Sequence, residues 1–221
     1  ISSIHNTHMS KPKRHLGDRN FDDLVHRFSN RITNSLKGEM RLHLVQTELE
    51  AWCPPTTPPM VMLDAGGGFG ALSRLYAEAG HQVHICDISN EMLQHGQQLH
   101  GEQSNMTHHV CPVQALDIEA VDLILCHAVL EWVEDQAQFI AHLSRLLRPK
   151  GRLSLLFYNR HALRFKRMLY GEIERLFAPC ETGHGKSLTP CYPCDPNQIK
   201  EWLTQCQFEL ESESGIRCIS D

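Results

Sequence analysis

From residue 60 onward, short apolar runs alternate with longer amphipathic ones. The runs at residues 60–64, 82–87, 107–111, 121–126 and 152–158 are short and apolar, as strands buried on both faces should be. Helical spacing lies between them, at residues 71–79, at 90–100 behind a Ser89 cap, and at 136–147. In the last of these, Phe139, Ile140, Leu143, Leu146 and Leu147 fall on one side. Upstream, Asn20 caps a predicted helix with Phe21, Leu24, Val25, Phe28 and Ile32 at helical intervals. A second helix carries Leu42, Val45, Leu49 and Trp52 on one stripe, and the proline-rich residues 54–59 stop it and make a stiff connector. Beyond the fifth strand the pattern predicts a helix over 162–177 and a Gly/Pro/Cys-rich loop over 178–194. A helix then starts at Asp195, with Pro196 in its first position and Gln198 in its third, and a sixth strand is expected near 208–213. Repeated strand–helix units mean an α/β fold: a doubly wound, mostly parallel sheet with helices on both faces.

Composition narrows the setting. At 221 residues the chain suits one α/β domain, or one with a short appendage, and 41% hydrophobic with 21% charged residues is ordinary for a globular protein. No apolar run approaches the roughly 18–20 residues of a membrane helix. Residues 1–17 are polar, with His5, His8, Lys11, Lys13, Arg14 and His15, and lack a signal-peptide core, so they read as a flexible leader or an expression scar. Nine cysteines, most standing singly as Cys86 and Cys126 do, fit buried thiols in a cytoplasmic protein rather than a disulfide scaffold. The net charge of −5 predicts no global attraction to nucleic acid, so RNA binding would need a local patch.

The densest chemistry lies in Asp64, Gly66, Gly67, Gly68 and Gly70, which close the first strand and open a helix. Glycines permit a tight turn and let a ligand approach bare backbone. An acid two residues ahead of them suits a ligand with an ammonium group, such as the methionine end of S-adenosyl-L-methionine. Asp87, ending the second strand, is placed to accept both hydroxyls of a ribose, or equally to cap the next helix. Together the two features favour a nucleoside ligand, with a dinucleotide enzyme as the alternative. After the third strand, the backbone of Val113 and the amide of Gln114 are candidates for the adenine contact, whereas Ala115 stands where an acid is often found. The fourth strand delivers His127 to the carboxyl edge of the sheet, as a site residue or a structural one.

Further stretches make the resemblance specific. Residues 18–23, Lys37-Gly38 with Arg41, Leu63 to Gly68, residues 80–83 with Cys86-Asp87, and His127 to Trp132 are similar to the bacterial tRNA 5-carboxymethoxyuridine methyltransferases, within the class I S-adenosylmethionine-dependent methyltransferases. Residues 153–155 and 157–159, 188–190 with Asp195-Pro196, and 215–217 extend the likeness to the end of the chain. It implies a Rossmann-like methyltransferase sheet under an N-terminal helical cap formed by residues 18–53, with a cofactor-binding core at 60–158 and a substrate-side segment at 159–221. It implies that Arg41, Gly66, Gly67, Asp87, Val113 and His127 contact S-adenosyl-L-methionine. Arg41 makes chemical sense there, since a guanidinium holds a carboxylate by two parallel bonds, although alone it reads as a surface arginine.

The implied acceptor is the carboxylate of a modified wobble uridine in the tRNA anticodon loop. A carboxylate is already ionised at neutral pH and needs no general base, so a nearby donor to hold it is expected. Tyr158, Asn159 and then Arg217 are the candidates for that catalytic role. Arg160, His161, Arg164, Lys166 and Arg167, with Phe165 among them, form the local basic patch, which taken alone reads rather as a solvated helix face. Class I sheets of this kind have seven strands, so six candidates predict a chain ending short of the last ones. A small carboxylic acid or acyl thioester as acceptor, or cofactor binding without catalysis, are the other readings. Cys191 and Cys194, with Cys180 and His184 upstream, have the ligand types of a zinc site, but the resemblance supplies no metal and none is expected.

Overall fold

The computed structural model describes residues 35–173 and 190–216. The helix expected from Asn20, the segment holding Cys180 and His184, and Arg217 lie outside the described residues. The order is α1 (Leu36–Trp52), β1 (Val61–Ala65), α2 (Ser73–Glu78), β2 (Gln82–Asp87), α3 (Asn90–His100), β3 (Met106–Val110), β4 (Val121–His127), α4 (Gln136–Leu146), β5 (Leu147–Leu156), α5 (Arg160–Leu169) and α6 (Pro196–Gln205). The five strands form one sheet in the order β3-β2-β1-β4-β5, every pair parallel. That order reverses direction between β1 and β4, and at such a switch point the loops leaving the carboxyl ends part to open a crevice.

Strand alternation sorts the core into two layers. Met62, Leu123 and Leu125 face the side covered by Leu49 of α1 and by Tyr76 and Ala77 of α2. Leu63, Ala65, Ile124 and Cys126 face the other, against Phe139, Ile140 and Leu143 of α4 and Ile199 of α6. Each fully buried leucine or isoleucine contributes about 1.5–3 kcal/mol relative to exposure, so the central strands are held from both faces. Cys53, Cys86, Cys126, Cys191 and Cys194 are buried free thiols within these layers and their margins.

Local chemistry fixes the helix starts. Ser89 accepts from the Met92 N–H, Asp195 from Asn197, Asp135 from Gln138 and Ser35 from Gly38, each satisfying an amide that the first turn leaves unpaired. The proline-rich connector is pinned by His81, which is almost fully buried. Its Nδ1 accepts from the Met60 N–H at 3.2 Å, so its Nε2 carries the proton and donates to the Pro55 carbonyl at 2.7 Å. No helix among the described residues is long and apolar enough to cross a membrane.

Two expectations need correction. The sixth strand does not form: residues 208–216 carry no strand pairing among the described residues. Gln207 sits at φ 63°, which turns the chain; Phe208 packs on the core, and Leu210 is left 61% exposed, so no alternating apolar face exists to be buried. Ion pairs hold that segment instead, Glu213 to Lys200 at 2.6 Å and Glu211 to Arg152 at 3.6 Å. The fifth strand begins earlier than 152. Leu147 leaves α4 and pairs at once with Val121, and the ladder resumes at Leu123 and Arg152 after a bulge. Pro149 has no N–H to give and Lys150 lies at φ 68°, so the intervening residues loop out rather than pair.

Candidate active site

The glycine loop folds back onto the end of β2. The N–H groups of Gly66 and Gly67 both donate to the Cys86 carbonyl, at 2.7 and 3.2 Å, and the Gly68 N–H donates to Asp87 Oδ2 at 3.0 Å. Gly66 has φ 71°, and a β-carbon there would lie 2.4 Å from Val129 Cγ2. At Gly67 a β-carbon would lie 2.6 Å from Asp64 Cγ and 2.7 Å from Ile85 Cγ1. Bare backbone is therefore required by the side chains packed against the loop as much as by the turn. Asp87 Oδ1 accepts from the Ser89 N–H at 2.8 Å, so each carboxylate oxygen is oriented by one amide. The cap of α3 is Ser89 rather than Asp87, which instead orients the Ser89 amide from the end of β2.

Asp64, at the end of β1, is buried, and burial pushes its pKa up to about 6; a Ser73 hydrogen bond opposes this and repulsion from Asp87 adds to it. A raised carboxyl pKa means the folded state holds a proton that the unfolded chain has released. Stability from this group therefore falls as pH climbs from about 4 to about 6. Asp64→Asn removes that cost. We expect it to raise the melting temperature of the ligand-free protein increasingly from pH 4 to 7, by up to about 3 kcal/mol in stability, while weakening cofactor binding. Melting curves against pH, with a Tm difference that stays flat, would refute this.

His127 ends β4 and pairs its Nε2 with Ser154 Oγ of β5 at 2.8 Å. Burial pushes its pKa down to about 4, so it is a neutral ring at physiological pH. Immediately after it the chain turns sharply, with Ala128 at φ 59°, and enters a 3-10 turn at Leu130–Trp132. Val113 is buried in a 3-10 turn after β3, and Gln114 beside it is exposed. Arg41 is half-buried on α1, where its charge reaches the Glu131 carboxyl.

On the β5 side, the Tyr158 carbonyl accepts from the Cys194 N–H at 2.9 Å and the Cys194 carbonyl from the Arg160 N–H at 2.8 Å. Asn159 forms the matching bridge to Cys194, and Arg160 and Asp195 are ion-paired. Burial raises the Tyr158 pKa, with Glu131 adding and Arg167 opposing, so the phenol is a donor. Asn159 caps α5, its Oδ1 accepting from the His161 N–H at 2.8 Å. Its side-chain oxygen thus has a structural task that the sequence reading did not anticipate. The glycine loop, Asp87, Val113, His127 and Tyr158 all stand at the ends of, or just beyond, the carboxyl edge of the strands.

One residue was missed. Glu131 is 4% exposed, and its Oε2 has no hydrogen-bond partner. Burial pushes its pKa up to about 7, against backbone N–H groups of Tyr158 and of Glu131 itself and the charge of Arg41. It lies in the 3-10 turn that follows Ala128, and nothing in its local sequence signals that burial.

The model of a methyltransferase-domain family matches residues 63–155. The chain is 38% identical over 211 residues to the tRNA 5-carboxymethoxyuridine methyltransferase of Escherichia coli strain K12, covering 92% of this chain and 81% of that protein. It is 33% identical over 162 residues to the ubiquinone biosynthesis O-methyltransferase of Xanthomonas oryzae, covering 70% and 65%. Among solved structures, the magnesium protoporphyrin IX methyltransferase of Synechocystis, with bound SAH, superposes with a TM-score of 0.65 at 22% identity over 86% of each chain, a likeness of fold.

Proposed function

Because the chain belongs to the S-adenosylmethionine-dependent methyltransferases, in the tRNA 5-carboxymethoxyuridine methyltransferase family, we propose that it methyl-esterifies the carboxylate of 5-carboxymethoxyuridine at the tRNA wobble position. The observation that carries the acceptor is the 38% identity spread over 92% of the chain. The crevice fits the cofactor on its own terms: the interior packed behind Gly67 leaves no room for a side chain, so the loop presents bare backbone, and a carboxylate with two oriented oxygens stands at the β2 edge.

In this reading Arg41 takes the methionine carboxylate and Asp64 favours the ammonium end. The Gly66–Gly68 backbone lies along the nucleoside, and Asp87 accepts the ribose hydroxyls. Val113 and Gln114 would border the adenine, and His127, neutral and fixed by Ser154, would form part of the cofactor's wall. The cofactor, when bound, would supply an electrophilic methyl to the acceptor oxygen. No proton moves, so the protein's task is alignment of a carboxylate with the S–CH₃ axis in a site that limits water. Tyr158, held as a phenol, donates to the acceptor carboxylate without neutralising it; Asn159 and Arg217 are the further contacts proposed. The exposed Phe165, among Arg164, Lys166 and Arg167 on α5, offers stacking and phosphate contacts for anticodon nucleotides.

The test is methyl transfer to tRNA carrying 5-carboxymethoxyuridine, read by mass spectrometry of the digested nucleosides. The methyl ester is expected in that tRNA. Its absence with competent cofactor binding overturns the acceptor, and transfer to free small acids instead would move the assignment to a small-molecule enzyme.

A further inference from the structure

Glu131 is a buried acid that none of the roles above employs. Its turn is rigidly built. The Tyr192 N–H donates to the Glu131 carbonyl at 2.8 Å, and Gln136 Nε2 donates to the carbonyls of Leu130 and Tyr192 at 2.9 and 2.8 Å. The backbone N–H of Tyr158 is directed at the side-chain carboxyl, which leaves Oε2 enclosed and unpartnered. Such an oxygen is costly in a folded protein unless a ligand or a moving group completes it.

The groups that face it are few. Arg41 approaches from α1, Cys126 from β4, Tyr158 from the end of β5 and Cys194 from the approach to α6. Burial holds both thiols and the phenol in their neutral forms. Arg41 is the one cation acting on Glu131 among the described residues, yet no ion pair joins them.

We propose that Glu131 is a positioning residue for Arg41: when the guanidinium grips the cofactor's methionine carboxylate, its other edge seats on Glu131 Oε2 and locks it. A planar guanidinium can bridge two carboxylates in this way, where a lysine cannot hold both geometries. The inference rests on Arg41 binding the cofactor as proposed above. In the free protein the Glu131 carboxyl is about half protonated at neutrality; pairing with Arg41 ionises it, and its proton leaves to solvent. Binding is therefore coupled to proton release. Affinity rises with pH up to about 7 and levels off above it, the sign required when the ligand-bound form holds fewer protons.

The experiment is calorimetry of S-adenosylhomocysteine binding to the full chain, from pH 6 to 8.5, in buffers of differing ionisation enthalpy. Wild type, Glu131→Gln, Arg41→Ala and the double variant are compared. Wild type should release a fraction of a proton near pH 7, and both single variants should release less. Glu131→Gln should weaken binding about tenfold at pH 8, and adding it to Arg41→Ala should cost almost nothing more. Additive losses, or unchanged proton release in Glu131→Gln, overturn the proposal. An Arg41→Ala variant that binds normally removes the cofactor assignment of Arg41 instead. Should Glu131→Gln not fold, the difference in proton release between wild type and Arg41→Ala decides, and its absence overturns the proposal.

Discussion

Asp87→Ala should weaken S-adenosylhomocysteine binding by two to three orders of magnitude. The carboxylate does two things at once. Its oxygens hold the Gly68 and Ser89 amides at 3.0 and 2.8 Å, and it stands at the β2 end proposed for the ribose. Removing it forfeits charge-assisted bonds to both hydroxyls and also frees the loop that would carry the nucleoside; at about 1.5–3 kcal/mol for each such bond, a 100- to 1000-fold loss follows. Stability should fall by only about 1–2 kcal/mol, because Asp87 is partly exposed and water replaces it. Asp87→Asn separates the two tasks poorly, since one end of an amide would point N–H at N–H. Calorimetry with a parallel thermal melt checks this; a dissociation constant within threefold of wild type would exclude Asp87 from the ribose site.

Gly67→Ala should be nearly as severe for a different reason. Gly67 is outside the left-handed region, so an alanine strains no backbone there. Its β-carbon, however, would meet Asp64 Cγ at 2.6 Å and Ile85 Cγ1 at 2.7 Å, both in the packed interior. Overpacking of this kind costs about 1–3 kcal/mol, and the loop, as the softer side, moves into the crevice. We expect cofactor affinity to drop about a hundredfold while the chain still folds. Gly66→Ala combines both faults, φ 71° and a contact of 2.4 Å with Val129 Cγ2. Val129→Ala should therefore rescue Gly66→Ala only in part, and full rescue of binding would show that the backbone angle is unimportant.

Much of this was legible in the chain, and what was not has physical reasons. Helix starts at Ser89 and Asp195 were readable because capping is a contact between residues two or three apart. Strands β1, β2 and β4 were readable because burial on both faces leaves a run of apolar residues that little else explains. The expected strand at 208–213 failed because strand formation depends on a partner ladder, which the residues themselves do not specify. Residues 148–151 bulge within β5, and Leu147 before them had no local signal that it would pair with Val121. In the site, Asp64 and Asp87 announced themselves by spacing from the glycines. Glu131 did not: a glutamate between leucine and tryptophan reads as a solvated turn, and its burial comes from Tyr158 and Cys194, distant in sequence. Tyr158 lies two residues beyond the last residue of β5, where it leaves the ladder and becomes free to contact that turn.

The buried thiols give the molecule a built-in chronometer. Cys126 lies at the centre of the sheet with no exposure, its ionisation suppressed by burial and by Glu131 and Asp64, whereas Cys206 and Cys111 lie closer to the surface. An alkylating reagent reacts with thiolate, so Cys126 becomes reactive only when the strands part. Its modification rate thus times the rupture of β4 from its neighbours, while the shallower sulfurs time fraying at the margins. A cofactor bound across the carboxyl edge should slow the first clock far more than the second.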